Sequence, residues 1–218
     1  MNALIIVDLQ NDFLPGGALA VPHGDELIPI ANRLQSSFDT VVATKDWHPR
    51  NHCSFASQHP GKRVGDVIEI EGLPQVLWPD HCVQDTPGSD FPASLETEKI
   101  SKVIHKGTDP ERDSYSGFFD NGGRHATGLG RYLHATGIDT VHVMGLATDY
   151  CVRATAIDAA RLGFKTFLIA DACRGVEIKA GDCQRAIDDM QNAGVEIEEC
   201  RTIVPDGSFP TKSDHGRP

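Results

Sequence analysis

Thr140-Val141-His142-Val143-Met144-Gly145-Leu146-Ala147-Thr148-Asp149-Tyr150-Cys151-Val152, with Ala154-Thr155-Ala156-Ile157-Asp158-Ala159-Ala160-Arg161-Leu162 close behind it, is the stretch that decides the fold. Thr140 to Met144 reads as a short apolar strand, the small residues after it as a turn, and Ala154 to Leu162 as a helix. Such a strand–turn–helix passage is the building unit of a parallel sheet. It also puts Cys151 in the first turn of the helix, where unpaired N–H groups and the positive end of the helix dipole favour a thiolate. A thiolate is a good nucleophile at neutral pH, and N–H groups beside it can hold an oxyanion. The competing reading is a small cysteine packed under the helix, the commoner fate of a free thiol. The residues around it decide between the two.

Working outward, the same alternation recurs. Ala3 to Val7 reads as a fully buried strand, Asp25 to Phe38 as a helix with Leu27, Ile28, Ile30, Ala31 and Leu34 turned inward, and Thr40 to Thr44 as a second strand. An irregular stretch rich in His, Pro and Gly runs from Asp46 to about Pro92. Val103 to His105 marks a third strand, followed by a Gly- and Asp-rich loop and a helix over Thr127 to Ala135. Beyond the Cys151 helix come a strand at Thr166 to Ala170, a helix from Lys179 to Asn192 and a strand at Val195 to Glu198. Strands apolar on both faces, alternating with helices, predict an α/β fold. It is a single domain with a mainly parallel sheet of about six strands and helices on both faces, a three-layer, Rossmann-like arrangement. Residues 1–204 form this domain, and 205–218, with Gly, Ser, Pro and charge, read as a flexible tail.

At 218 residues and 39% hydrophobic, the chain can bury one core and does not demand a second domain. A formal charge of −11 argues against nucleic acid or an anionic membrane as the main partner. No export signal precedes Ala3, and no run approaches the roughly 20 apolar residues that span a bilayer. A cytoplasmic protein is expected. The six cysteines are scattered without a C-x-x-C pair, so reduced thiols are expected rather than a disulfide framework.

Ligands of open parallel sheets bind at the carboxyl ends of the strands. The first strand is followed by Asp8, the second by Asp46 and His48, the third by Lys106, and the fourth leads to Cys151. A carboxylate, a metal-type Asp-x-His pair, an ammonium and a thiol therefore emerge at one sheet edge. Asp8 alone is a common turn residue and Lys106 a common surface charge. As a set they read as a base for the Cys151 thiol and a cation that steadies both. Asp46, His48 and His81 offer one oxygen and two imidazoles, a donor set with open positions that suits one catalytic Zn or Fe(II). His52, Cys53, Asp80 and Cys82 are rival ligands, with His52 the one kept as a further candidate. Phe13, Trp78 and Tyr115 lie in loops at this edge, where they either anchor those loops or wall a flat aromatic ligand.

Val7-Asp8-Leu9-Gln10-Asn11-Asp12-Phe13, Asp46-Trp47-His48-Pro49, Trp78-Pro79-Asp80-His81-Cys82-Val83, His105-Lys106-Gly107, Asp113 to Gly122 and Gly145 to Val152 resemble, in this order, the motifs of the nicotinamidases, or pyrazinamidases. These belong to the isochorismatase-like cysteine hydrolases, and the resemblance runs from about residue 3 to 200. It implies a catalytic triad of Asp8, Lys106 and Cys151. It implies Asp46, His48 and His81 as metal ligands, and Phe13, Trp78 and Tyr115 as walls of a pyridine pocket. It also implies a cis Leu146–Ala147 bond that would aim the Ala147 N–H, with that of Cys151, at the oxyanion. Tyr150 stands where certain members carry His and receives no role. The implied activity is hydrolysis of nicotinamide to nicotinate and ammonia through a Cys thioester, for NAD salvage, with pyrazinamide also accepted.

Two other readings compete. One is an amidase for a carbamoyl or ureido substrate, which typically lacks the Asp-x-His and distal His set. The other is a non-catalytic thiol or metal sensor, which would need a resolving cysteine near Cys151 and finds none in the nearby sequence. Vinyl-ether cleavage gives a cysteine nucleophile no task. Subunit number is left open, with a homo-oligomer among the options.

Overall fold

The computed structural model describes residues 1–205 and 209. Six strands, β1 (Asn2–Val7), β2 (Thr40–Asp46), β5 (Ile100–Lys106), β6 (Thr140–Leu146), β7 (Lys165–Arg174) and β8 (Glu196–Glu198), form one sheet in the order β5-β2-β1-β6-β7-β8. Every pairing in that sheet is parallel. The helices are α1 (Leu27–Leu34), α2 (Leu129–Ala135), α3 (Arg153–Arg161), α4 (Asp182–Asn192) and α5 (Cys200–Ile203). The expected fold class is the one observed. The tail expected over 205–218 lies outside the described residues, apart from Pro205 and Phe209.

β1 sits at the centre, and its alternation divides the core into two layers. Ala3, Ile5 and Val7 pack with Val141 and Val143 under α2, α3 and α4, through Leu133, Ala156 and Met190. Leu4 and Ile6 pack with Met144 and Leu146 under α1, through Leu27, Ile28, Ala31 and Leu34. Both faces of β1 are therefore buried, which is why its sequence reads as an unbroken apolar run.

The structure departs from the sequence reading in several places. The helix expected over Asp25 to Phe38 is α only from Leu27 to Leu34, flanked by 3-10 turns at Gly24–Glu26 and Gln35–Ser37. The irregular stretch contains a hairpin of β3 (Val67–Ile70) and β4 (Leu73–Val76). Its strands bury few side chains, so they carry little hydrophobic signal. β2 extends to Asp46 and β5 to Lys106, so these residues are register partners at the strand ends rather than loop residues. Among the described residues no helix is long and apolar enough to cross a membrane.

Candidate active site

β1 stops at Val7, and Asp8 turns the chain with a φ of 51°. The neighbouring end of β6 comes very close. Gly145 has a φ of 120°, and a Cβ there would lie 2.2 Å from the Val7 carbonyl oxygen, so only glycine fits. After the Leu146–Ala147 peptide, which is cis, the chain enters a π-helical turn over Thr148–Val152 that continues into α3. Cys151 lies in this turn. One carboxylate oxygen each of Asp8 and Asp46 and the Cys151 sulfur all lie within 4.8 Å of one another.

Lys106 joins the three. Its buried Nζ donates to Asp46 Oδ1, to the Ser114 carbonyl at 3.1 Å and to Cys151 Sγ at 3.3 Å. Those bonds use the three N–H groups of an ammonium. Asp8 Oδ2 is 2.9 Å from Nζ, a charge contact, yet accepts no hydrogen bond from the described residues. The other Asp8 oxygen accepts the Thr44 hydroxyl at 2.6 Å. Asp8 thus holds one oxygen against Thr44 and the other against the Lys106 ammonium, close to the thiol.

The electrostatics follow from burial and this one cation. Burial pushes the Asp8 carboxyl up, more than the adjacent Lys106 pulls it down. Burial acts the same way on Asp46, but there the Lys106 ammonium and His48 prevail and hold the carboxyl well below its usual range. Burial opposes charge on Lys106, and the two carboxylates overcome it, so the ammonium stays charged. Burial likewise drives the Cys151 thiol well above its ordinary range, with Lys106 only partly offsetting it. Burial thus works against the thiolate that a helix terminus favours, in keeping with the expectation that Asp8 serves as base for the thiol.

Asp46 Oδ2, the oxygen that Lys106 leaves free, faces His48 Nε2 at 3.5 Å and His81 Nε2 at 3.7 Å. His48 Nδ1 meets the Gly107 carbonyl at 2.9 Å and His81 Nδ1 the Pro79 carbonyl at 2.8 Å. A carbonyl only accepts, so each Nδ1 carries the proton and each Nε2 presents a lone pair. Three lone pairs converging in a buried site are the arrangement a divalent cation requires, with the imidazoles oriented from behind. Gly107, with a φ of 62°, makes that support possible: a Cβ there would sit 2.3 Å from His48 Cε1.

His52 is placed differently from these three. Its Nε2 lies 3.1 Å from the Arg112 carbonyl and its Nδ1 2.8 Å from the Ser54 hydroxyl, so both ring nitrogens are engaged. Its ring lies against that of His48, with centroids 4.1 Å apart, and burial pulls its pKa down to about 4. It packs behind the ligand set as a neutral imidazole. Of the rivals, Asp80 accepts from Ser57, and burial keeps Cys53 and Cys82 as thiols, with Cys53 raised to about 12.

Above this floor opens a cleft lined by Phe13, Asp46, His48, Trp78, His81, Tyr115, Ala147 and Cys151. The Trp78 indole N–H donates to the Tyr115 hydroxyl at 3.2 Å, which fixes the two rings as one wall. Every residue expected in the triad, ligand set, oxyanion pair and pocket therefore meets here, with His52 behind. Leu19, Asp113, Tyr150 and Val176, to which the sequence assigns no role, also line the cleft. Tyr150, given no role, stands edge-on to Trp78 at 4.9 Å. Asp149 accepts the backbone N–H groups of Val176 at 3.0 Å and Glu177 at 2.8 Å, tying that loop to the Cys151 turn. Thr44 could have been found from the period of two, since it lies two residues before Asp46 on the same strand.

A family model of the isochorismatase domain matches residues 2–200. The chain belongs to the isochorismatase-domain family. The nicotinamidase of Escherichia coli (strain K12) is 51% identical over 200 residues, 90% of this chain and 93% of that protein. The Acinetobacter baumanii nicotinamidase and pyrazinamidase structure matches with a TM-score of 0.91 at 45% identity, covering 93% of this chain and 98% of that one. The pyrazinamidase of Pyrococcus horikoshii in complex with zinc matches with a TM-score of 0.74 at 40% identity, over 91% of this chain and 98% of that one. Isochorismatase-domain membership fixes the fold, and the reaction has to be argued from the site.

Proposed function

We propose that this protein is a nicotinamidase, with residues 1–204 as the hydrolase domain, converting nicotinamide and water to nicotinate and ammonia for NAD salvage. The observation that carries the reading is the single buried chain of contacts from Cys151 through Lys106 to Asp46 and on to His48 and His81, beneath an aromatic-walled cleft. The nicotinamidase relatives support it, one of them named as a nicotinamidase/pyrazinamidase, and pyrazinamide is a further expected substrate.

Asp8 accepts the Cys151 proton as the sulfur attacks the carboxamide carbon. The Ala147 and Cys151 N–H groups hold the oxyanion, and Lys106 balances the two carboxylates. Asp8 then returns the proton to the departing ammonia, leaving a thioester that water hydrolyses to the acid, freeing the thiol. Phe13, Trp78 and Tyr115 hold the ring flat. Asp46, His48 and His81 would hold one Zn or Fe(II), a Lewis acid that when bound orients a pyridine nitrogen.

Ammonia release from nicotinamide, followed before and after chelator treatment, tests the reading. Activity that falls on metal removal and returns with Zn or Fe(II) supports it. An intact, metal-loaded protein that releases no ammonia would exclude nicotinamide as the substrate.

A further inference from the structure

The metal-facing carboxylate sits at a weak point of the sheet. β1 pairs with β2 only as far as Ile6 with Ala43, because the chain turns away at Asp8. β2 nonetheless continues to Asp46, where it has β5 on one side and no strand on the other. A strand end held on one side frays more readily than one held on both.

Gln10 fills the missing side. Its Oε1 accepts the Asp46 N–H at 2.8 Å, and its Nε2 donates to the Asp46 carbonyl at 2.8 Å. The second Nε2 hydrogen goes to the Ser89 carbonyl at 2.9 Å. The side chain is fully buried. Its carboxamide thus does for Asp46 what a continued β1 would have done, engaging both backbone groups of that one residue. Asn11, the next residue, braces the same region without touching Asp46: its Nδ2 donates to the Pro87 carbonyl at 2.8 Å.

We propose that Gln10 is a positioning residue for the Asp46 carboxylate, a surrogate strand that sets metal affinity. The inference rests on the metal site described under the proposed function. Partners that orient a ligand from behind typically change metal affinity by about tenfold to a hundredfold when removed.

The test is Zn(II) affinity, measured by competition with a chromophoric chelator and referred to the folded fraction seen by circular dichroism. Gln10→Met keeps the length and loses all three bonds. Gln10→Glu sets an oxygen against the Asp46 carbonyl and serves if the methionine variant does not fold. Asn11→Ala is the control, because it loosens the loop and spares Asp46. The expected result is affinity weakened at least about tenfold in the Gln10 variants and changed less than about twofold in Asn11→Ala. Wild-type affinity in a folded Gln10 variant would overturn the inference, as would equal weakening in Asn11→Ala. A wild-type protein that binds no Zn(II) or Fe(II) would instead remove the metal site itself.

Discussion

Lys106 and Asp46 face each other as register partners of β5 and β2, and the ammonium takes one carboxylate oxygen while leaving the other to His48 and His81. The reacting thiol and the metal-type cluster are thereby joined through one carboxylate. Lys106→Met should disturb both, because it strands two buried carboxylates within reach of each other. Removing one partner of such a cluster costs about 3–5 kcal/mol. Thermal melts should show that loss and ammonia assays a near-complete loss of turnover; a stable, active variant would contradict the charge balance described.

Acid sensitivity follows from Asp8. Its carboxyl is raised by burial, and it must be ionised to accept the thiol proton. Activity therefore falls as pH drops through a value above the ordinary aspartate value of about 3.9. Thr44 donates to the ionised form, so Thr44→Val should move that limb to higher pH. A kcat/KM profile checks both, and a limb unmoved by Thr44→Val would separate Asp8 from the titration.

Cys151→Ala should lower turnover by about 10⁴-fold or more, as for other nucleophile deletions. The sulfur touches Lys106 but not the imidazoles' supporting carbonyls, so metal content measured by atomic absorption should stay at the wild-type level.

Asp149→Ala should act on substrate capture. It removes a charged acceptor from the N–H groups of Val176 and Glu177, a contact worth about 1.5–3 kcal/mol per bond. With the Val176 side of the cleft released, KM should rise by about tenfold while kcat changes less. An equal fall in kcat with unchanged KM would place Asp149 in the chemistry instead.

The sequence was most readable where strands are buried on both faces and end in reactive residues. β1 and β6 stand out as apolar runs, and Asp8, Lys106 and Cys151 mark three strand ends. It was least readable where a residue acts through partners distant along the chain. Gln10 meets a backbone 36 positions away, and nothing around it in the sequence announces that. The β3–β4 hairpin stayed hidden because its sides are largely exposed. The ionisation of Cys151 is hard to read from sequence for a different reason. Position on a helix is local and visible, whereas the depth of burial that overrides it belongs to the assembled molecule.

The central place of β1 bears on how the molecule comes into being. β1 precedes every other strand of its sheet along the chain, yet one of its two neighbours, β6, comes only after β2 and β5. Such distant pairing is slow to form and leaves apolar edges open meanwhile. Asp8, at the end of β1, meets Cys151 only once β6 docks, so hydrolysis of a small amide would report completion of the sheet during refolding.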